Sequence, residues 1–201
     1  MRHDHEQRSR EIVAAAVKVI SKEGLEALTI KRLAAEVGVT DAAIYRHFKS
    51  KDAILAEVVD KFSSPLRDVR NTIIAANLSS IEKIEMLFNE KCLRLSRHPE
   101  QTMVMRAVME FRGHRRLNKR AVDLLEAYRD DVVGVIREGQ ERGEIIAHPD
   151  PEHLYFMLIG GLHALVQRWE MSRRSFDLRQ EGAKLWYSMK MLLGKNVSDI
   201  T

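Results

Sequence analysis

The chain is poor in the residues that staple, anchor or interrupt a fold: one cysteine and four prolines stand in 201 residues. A single cysteine excludes an intrachain disulfide framework and fits a reducing compartment, so a cytoplasmic location is expected. No apolar run approaches the roughly 20 residues a membrane helix requires. The first residues are charged, so no secretory segment and no membrane partner are expected. No alternating strand pattern, low-complexity tract or internal repeat is found, which leaves an all-α fold. Metal and catalytic patterns are missing as well. His148, His153 and His163 form no His-x-x-x-His pair. The residues three before His98, His114, His153 and His163 are Leu95, Phe111, Asp150 and Gly160, so the Glu-x-x-His motif of di-iron bundles is absent. No metal, cofactor or enzymatic activity is expected.

What is present is a soluble composition, 45% hydrophobic and 31% charged, with a pI near 9.2 that points to an anionic partner. The surplus is not concentrated at one end. Residues 1–52 hold ten Lys/Arg against eight Asp/Glu, and the rest holds 23 against 21. Individually placed cations such as Lys18, Lys31, Arg46, Lys49 and Lys51 must therefore outweigh bulk charge.

Residues 29–51 are the most informative stretch. Thr29 is an N-cap for a helix through Glu36, with Leu33, Ala34 and Val37 on its buried face. Gly38 falls where that helix must stop and tolerates a positive φ. Thr40 caps a second helix expected to reach about Phe48, with Ile44 and Phe48 facing inward. The alternative is an ordinary helical corner with a wet outer face. The side chains on that face argue for a helix-turn-helix whose second member enters a major groove. Thr40, Asp41, Ala42 and Ala43 are small enough for close approach to base edges. Tyr45, His47 and Lys51 carry donors suited to phosphate oxygens.

The run from Ile12 to about Val59 resembles the N-terminal domain of the TetR family of bacterial transcription regulators. The matching residues are Ile12, Ala15, Ala16, Gly24, Thr29, Leu33, Ala34, Gly38 and Val39, then Ala43 to Phe48, Ser50 to Asp52, and Leu55. The resemblance implies a three-helix DNA-binding head, about 1–52, and a helical effector-binding and dimerisation body, about 53–201. It places phosphate contacts on Tyr45, His47 and Lys51, and base contacts on Lys31, Asp41, Ala42 and Ala43. Asp41 would repel phosphate and could accept from a cytosine amino group.

The remaining chain reads as helices. Residues 1–7 are polar and read as a loose terminus, or as an arm whose Arg2, Arg8 and Arg10 reach a minor groove. Pro65 is expected to interrupt, kink or restart the helix that Ser50 caps. Ser79 and Glu82 make a capping box for the next helix. Gly143 and the Pro149-Asp150-Pro151 turn precede a final pair of helices at about 151–172 and 175–194.

The resemblance implies an effector pocket in the body, with candidate lining residues Phe88, Cys92, Met103, Met105, Met109, Phe111, Leu125, Tyr128 and Met157. Methionine suits a lipophilic ligand, although apolar residues at helical spacing are as a rule core. Cys92 lies on an apolar stripe, which favours a structural thiol over a redox sensor. The basic run Arg112 to Arg120 reads as a solvated junction, or as a seat for a phosphorylated or carboxylate effector such as an acyl-CoA. The first of the two final helices is apolar on more than one stripe, and the last offers Leu185, Trp186, Met189 and Leu192. Leu158, Gly161, Leu162, Leu165, Trp169, Leu185, Trp186, Met189 and Leu192 are the expected dimer interface, the alternative being that both helices cap their own core.

Together these features predict a homodimeric repressor on a palindromic operator of double-stranded DNA, released by an unknown small effector. Two further readings are an effector-independent DNA-bound structural or division-control factor, and a small-molecule-binding or enzymatic bundle with an incidental helix-turn-helix.

Overall fold

A computed structural model describes the backbone of residues 2–102 and 115–194, with side-chain surroundings given for these except at 2–4, 65, 66 and 115–118. Among the described residues there is no strand, and eight helices are labelled here. They are α1 (Arg2–Glu23), α2 (Ile30–Val37), α3 (Asp41–Tyr45), α4 (Lys51–Ala75), α5 (Ser80–Arg97), α6 (Arg115–Glu141), α7 (Pro151–Met171) and α8 (Leu178–Leu193). The described residues divide into two compact units, 1–67 with 99–125 and 68–98 with 126–201. Both α4 and α6 run through a division.

The first unit is built on the stripes read from the sequence. Ile12, Ala16, Val19 and Ile20 of α1 pack with Leu33 and Ala34 of α2, Ile44 of α3, and Ile54, Leu55, Val58 and Val59 of α4. Each buried Ile or Leu contributes roughly 1.5–3 kcal/mol, so this core outweighs any of the surface ion pairs around it. Because Ile54 to Phe62 belong to this core, the packing carries the first unit beyond residue 52.

Three local expectations are corrected. The loose N-terminus is instead the first two turns of α1, where the Ser9 hydroxyl donates to the His5 carbonyl and Arg8 pairs with Glu11 at 2.6 Å. The helix capped by Ser50 runs unbroken through Pro65 to Ala75. And α3 ends at Tyr45 rather than near Phe48; Arg46, His47 and Phe48 close a tight turn on the carbonyls of Ala42 and Ile44.

The second unit has its own core, with Phe88 and Cys92 of α5, Val132 and Ile136 of α6, Leu154, Leu158 and Leu162 of α7, and Trp186 of α8. The capping box is formed, with Ser79 N–H donating to Glu82 at 2.8 Å. At Gly182 the two helices α5 and α8 approach so closely that a Cβ would stand 2.6 Å from Cys92 Sγ. Asp150 caps α7 with Pro151 in its first turn, and Trp169 Nε1 donates to Phe176 O at 2.9 Å across the turn into α8.

Candidate nucleic-acid interface

The corner from α2 to α3 is fixed by backbone chemistry. Thr29 Oγ1 accepts from Arg32 N at 3.0 Å and starts α2. Gly38 ends it with φ 75° and ψ 36°, a left-handed conformation that costs glycine nothing, while the Gly38 and Val39 amides both donate to Ala34 O at 2.9 Å. Two residues on, Thr40 Oγ1 accepts from Ala43 N at 3.3 Å and opens α3. With Ile44 fully buried beneath, the first turn of α3 is turned outward.

Ion pairs lock α2 onto α1. The Arg32 guanidinium donates to Glu23 at 2.6 Å and to Glu36 at 2.9 Å, and Lys18 also pairs with Glu36. Lys18 and then Arg32 hold the Glu36 carboxyl below the ordinary carboxylate range, and Arg32 does the same for Glu23. Lys18, expected among the cations placed for phosphate, is thus engaged within the head.

Around the corner, Lys31, Thr40, Asp41, Ala42 and Tyr45 are exposed, and Tyr45 keeps 54% of its surface despite its ring. Ala43, His47 and Lys51 are half-buried. Lys51 Nζ reaches Leu25 O at 3.5 Å, which holds the side chain close to the end of α1. His47 Nδ1 lies 3.2 Å from Ser9 Oγ, and its ring stacks on His5 with centroids 4.2 Å apart. Sequence reasoning missed this support because it left residues 1–7 outside the first helix; the helical spacing of His5 and Ser9 was the available signal. All eight candidate DNA-contacting residues therefore lie along one corner, five of them open to solvent.

The other candidates scatter more. Phe88 and Cys92 are buried in the body's core; Phe88 packs on Trp186 with centroids 5.7 Å apart. Burial pushes the Cys92 thiol up to about 11, as a structural cysteine requires. Cys92 also borders a groove of about 670 Å³ with Val69, Thr72, Ile73 and Met86. Tyr128 is half-buried. Leu125 and Met157 are 43% and 58% exposed. Met103, Met105, Met109 and Phe111 lie outside the described residues, as does much of the basic run 112–120. Of that run, Arg120 pairs with Asp60, and Lys119 stands 3.6 Å from Asp123.

Of the residues expected at the dimer interface, Leu158, Leu162, Trp169 and Trp186 are each at most 5% exposed and fill their own protomer's core. Leu165, Leu185 and Met189 are partly buried against that core, and Gly161 lies beneath the Met189 side chain. Leu192 is open at 68%. Phe156, Met157, Met171, Tyr187 and Met191 are also exposed, an apolar set on α7 and α8 that the sequence stripes had not separated from the core set.

A glycine-turned helical corner with small residues at the start of its second helix, set on a separate helical body, defines a DNA-binding regulator of the helix-turn-helix class. The chain matches the bacterial regulatory proteins of the TetR family over residues 12–58, and the C-terminal region of YsiA-like proteins over residues 56–191. It belongs to the TetR family and is a DNA-binding transcriptional regulator. Among its relatives, the fatty acid metabolism regulator protein of Bacillus subtilis (strain 168) is 24% identical over 169 residues, covering 84% of this chain and 86% of that one. The nucleoid occlusion factor SlmA of Vibrio atlanticus (strain LGP32) is 26% identical over 180 residues, covering 89% and 92%. The crystal structure of FadR from Bacillus subtilis in complex with stearoyl-CoA superposes with a TM-score of 0.79 at 22% identity, over 92% of this chain and 98% of that one. The family is one of regulators rather than enzymes. No helix among the described residues is long and apolar enough to cross a membrane.

Proposed function

We propose that this regulator is a homodimeric cytoplasmic repressor that occupies a palindromic operator and leaves it when a small lipophilic effector binds the body. The observation that carries the DNA-binding half is the exposed row Lys31, Thr40, Asp41, Ala42 and Tyr45 on a corner fixed by Gly38. In this reading Tyr45, His47 and Lys51 grip phosphates, while Lys31, Thr40, Asp41, Ala42 and Ala43 face base edges. The exposed apolar set on α7 and α8 supports the dimer, since burial of these six side chains against a second chain would remove them from water. Two heads then address half-sites about one helical turn, or a multiple, apart.

Release follows if the effector binds unequally to two spacings of the heads; equal affinity for both would shift nothing. The stearoyl-CoA bound to the B. subtilis relative supports a lipophilic ligand. Similarity to a nucleoid occlusion factor supports the second reading, a DNA-bound division-control factor without an effector. Selection of bound duplexes from a random pool, followed by mobility shift with and without candidate lipids, tests both. A two-fold symmetric site vacated by a lipid is the expected result. Scattered sites indifferent to every lipid would favour the second reading, and no duplex affinity at low salt would overturn both.

A further inference from the structure

Two lysines of α5 are drawn inside the second unit, and they differ in one respect. Lys83 is 7% exposed and has a carboxylate within reach, Glu138 at 3.9 Å. Lys91, eight residues further along, has no carboxylate within 4.0 Å among the described residues. Its Nζ sits 4.0 Å from the centre of the Tyr128 ring instead. Arg70 approaches the same ring at 5.9 Å but is answered by Asp131 at 2.8 Å. His163 of α7 feels the Lys91 charge, which adds to burial in pushing its imidazole down. Among the described residues, Lys91 is therefore the cation of this cluster without a carboxylate partner. An unanswered charge inside a protein is costly enough that a partner is expected when the site is in use.

The same residues are sheltered and yet reachable. Burial pushes the Lys91 ammonium down to about 8 and the Tyr128 phenol upward, so protein surrounds both. Yet both side chains keep accessible surface, and His163 keeps more. A ligand head group can therefore reach all three.

We infer that Lys91, on the Tyr128 ring and beside His163, binds the carboxylate head of the effector. The inference rests on the effector-released repressor proposed above and names its ligand class. A single unanswered ammonium matches one carboxylate; the several phosphate charges of a coenzyme A head would remain uncompensated there. Tyr128 can donate its hydroxyl, and a neutral His163 can donate one ring N–H to the same oxygens. The head thus sits on this cluster, at the end of an aliphatic tail.

Calorimetric titration of the full chain with saturated carboxylates from octanoate to hexadecanoate, their matching alcohols and their coenzyme A thioesters tests this. At least one acid should bind tenfold or more tighter than its alcohol and its thioester. Lys91→Met should remove that preference while leaving alcohol affinity unchanged, and Lys91→Arg should restore part of it. Thioesters outbinding acids, acids equalling alcohols, or Lys91→Met keeping the preference would each overturn the assignment. Operator release is followed in the same samples. Release by a neutral lipid regardless of Lys91 leaves the repressor standing and removes this site. Acid binding through Lys91 without release keeps the site and removes the switch.

Discussion

The head and the body use charge and apolar surface in opposite ways. In the head, Arg32, Lys18, Glu23 and Glu36 answer one another at the seam of α1 and α2, and the buried residues form one core. In the body Lys91 has no carboxylate partner among the described residues, and six large apolar side chains of α7 and α8 face outward. A surface whose partner is a polyanionic duplex can be finished within one chain, because water serves until DNA arrives. A surface whose partner is a second protomer or an amphiphile cannot, since apolar area and enclosed charge remain costly without the partner. The unfinished features of the body are where its partners belong.

The strongest way to break that contrast is to empty each core in turn. Ile44→Ala in the head and Leu162→Ala in the body each remove a fully buried side chain, and each should cost about 2–5 kcal/mol. Hydrogen exchange should show the first variant losing protection from α1 through the start of α4, and the second losing it in α5, α7 and α8. Equal loss everywhere would mean that the two cores open as one.

Next is the outward apolar set. Met191→Glu with Leu192→Glu should leave helix content intact and yield monomers by light scattering. Operator affinity should fall at least about a hundredfold as the linked second head is lost. A dimer that survives both carboxylates would place the interface elsewhere.

A smaller effect is expected at the corner itself. Tyr45→Ala with Lys51→Ala should weaken binding to all duplexes about tenfold and flatten the salt dependence by about one unit of slope for the lost cation. Loss confined to one sequence would move these residues from phosphates to bases.

The smallest effect sharpens the charge comparison. Lys91→Met should raise the melting temperature of the ligand-free protein at pH 7. The gain should shrink as pH rises from about 8 toward the ordinary 10.5, because there the unfolded wild-type chain still holds a proton that the folded one has released. Cys92 and Tyr128, raised by burial, work the other way above pH 9, so the difference between the two proteins is the quantity to follow. A variant less stable than wild type at pH 7 would mean that Lys91 is answered already.

Much of the head was legible because its signals are local. Thr29, Gly38 and Thr40 act on their own next few residues, so caps and turn could be placed from spacing alone. The end of α3 was not legible: whether residues 46–48 continue the helix or turn is decided by the burial of Phe48 in the first unit's core, with its amide and that of His47 both closing on Ile44 O. Pro65 misled for a related reason, because a helix held by core residues upstream tolerates one missing donor. In the body, periodicity showed that α7 was apolar on several sides but gave no means of choosing which side met its own core. Lys91 escaped notice altogether, since a lysine within an amphipathic stripe reads as solvated.

The amino-acid order determined the helical class, the corner at Gly38, the caps and the family, all of which depend on neighbours within a few residues along the chain. Tertiary packing alone decided that Leu162 and Trp186 face inward while Met191 and Leu192 face outward. It alone set Lys91 on the Tyr128 ring, away from any carboxylate among the described residues. Those outcomes depend on residues tens of positions away, and helical periodicity carries no information about which distant helix will cover a given face.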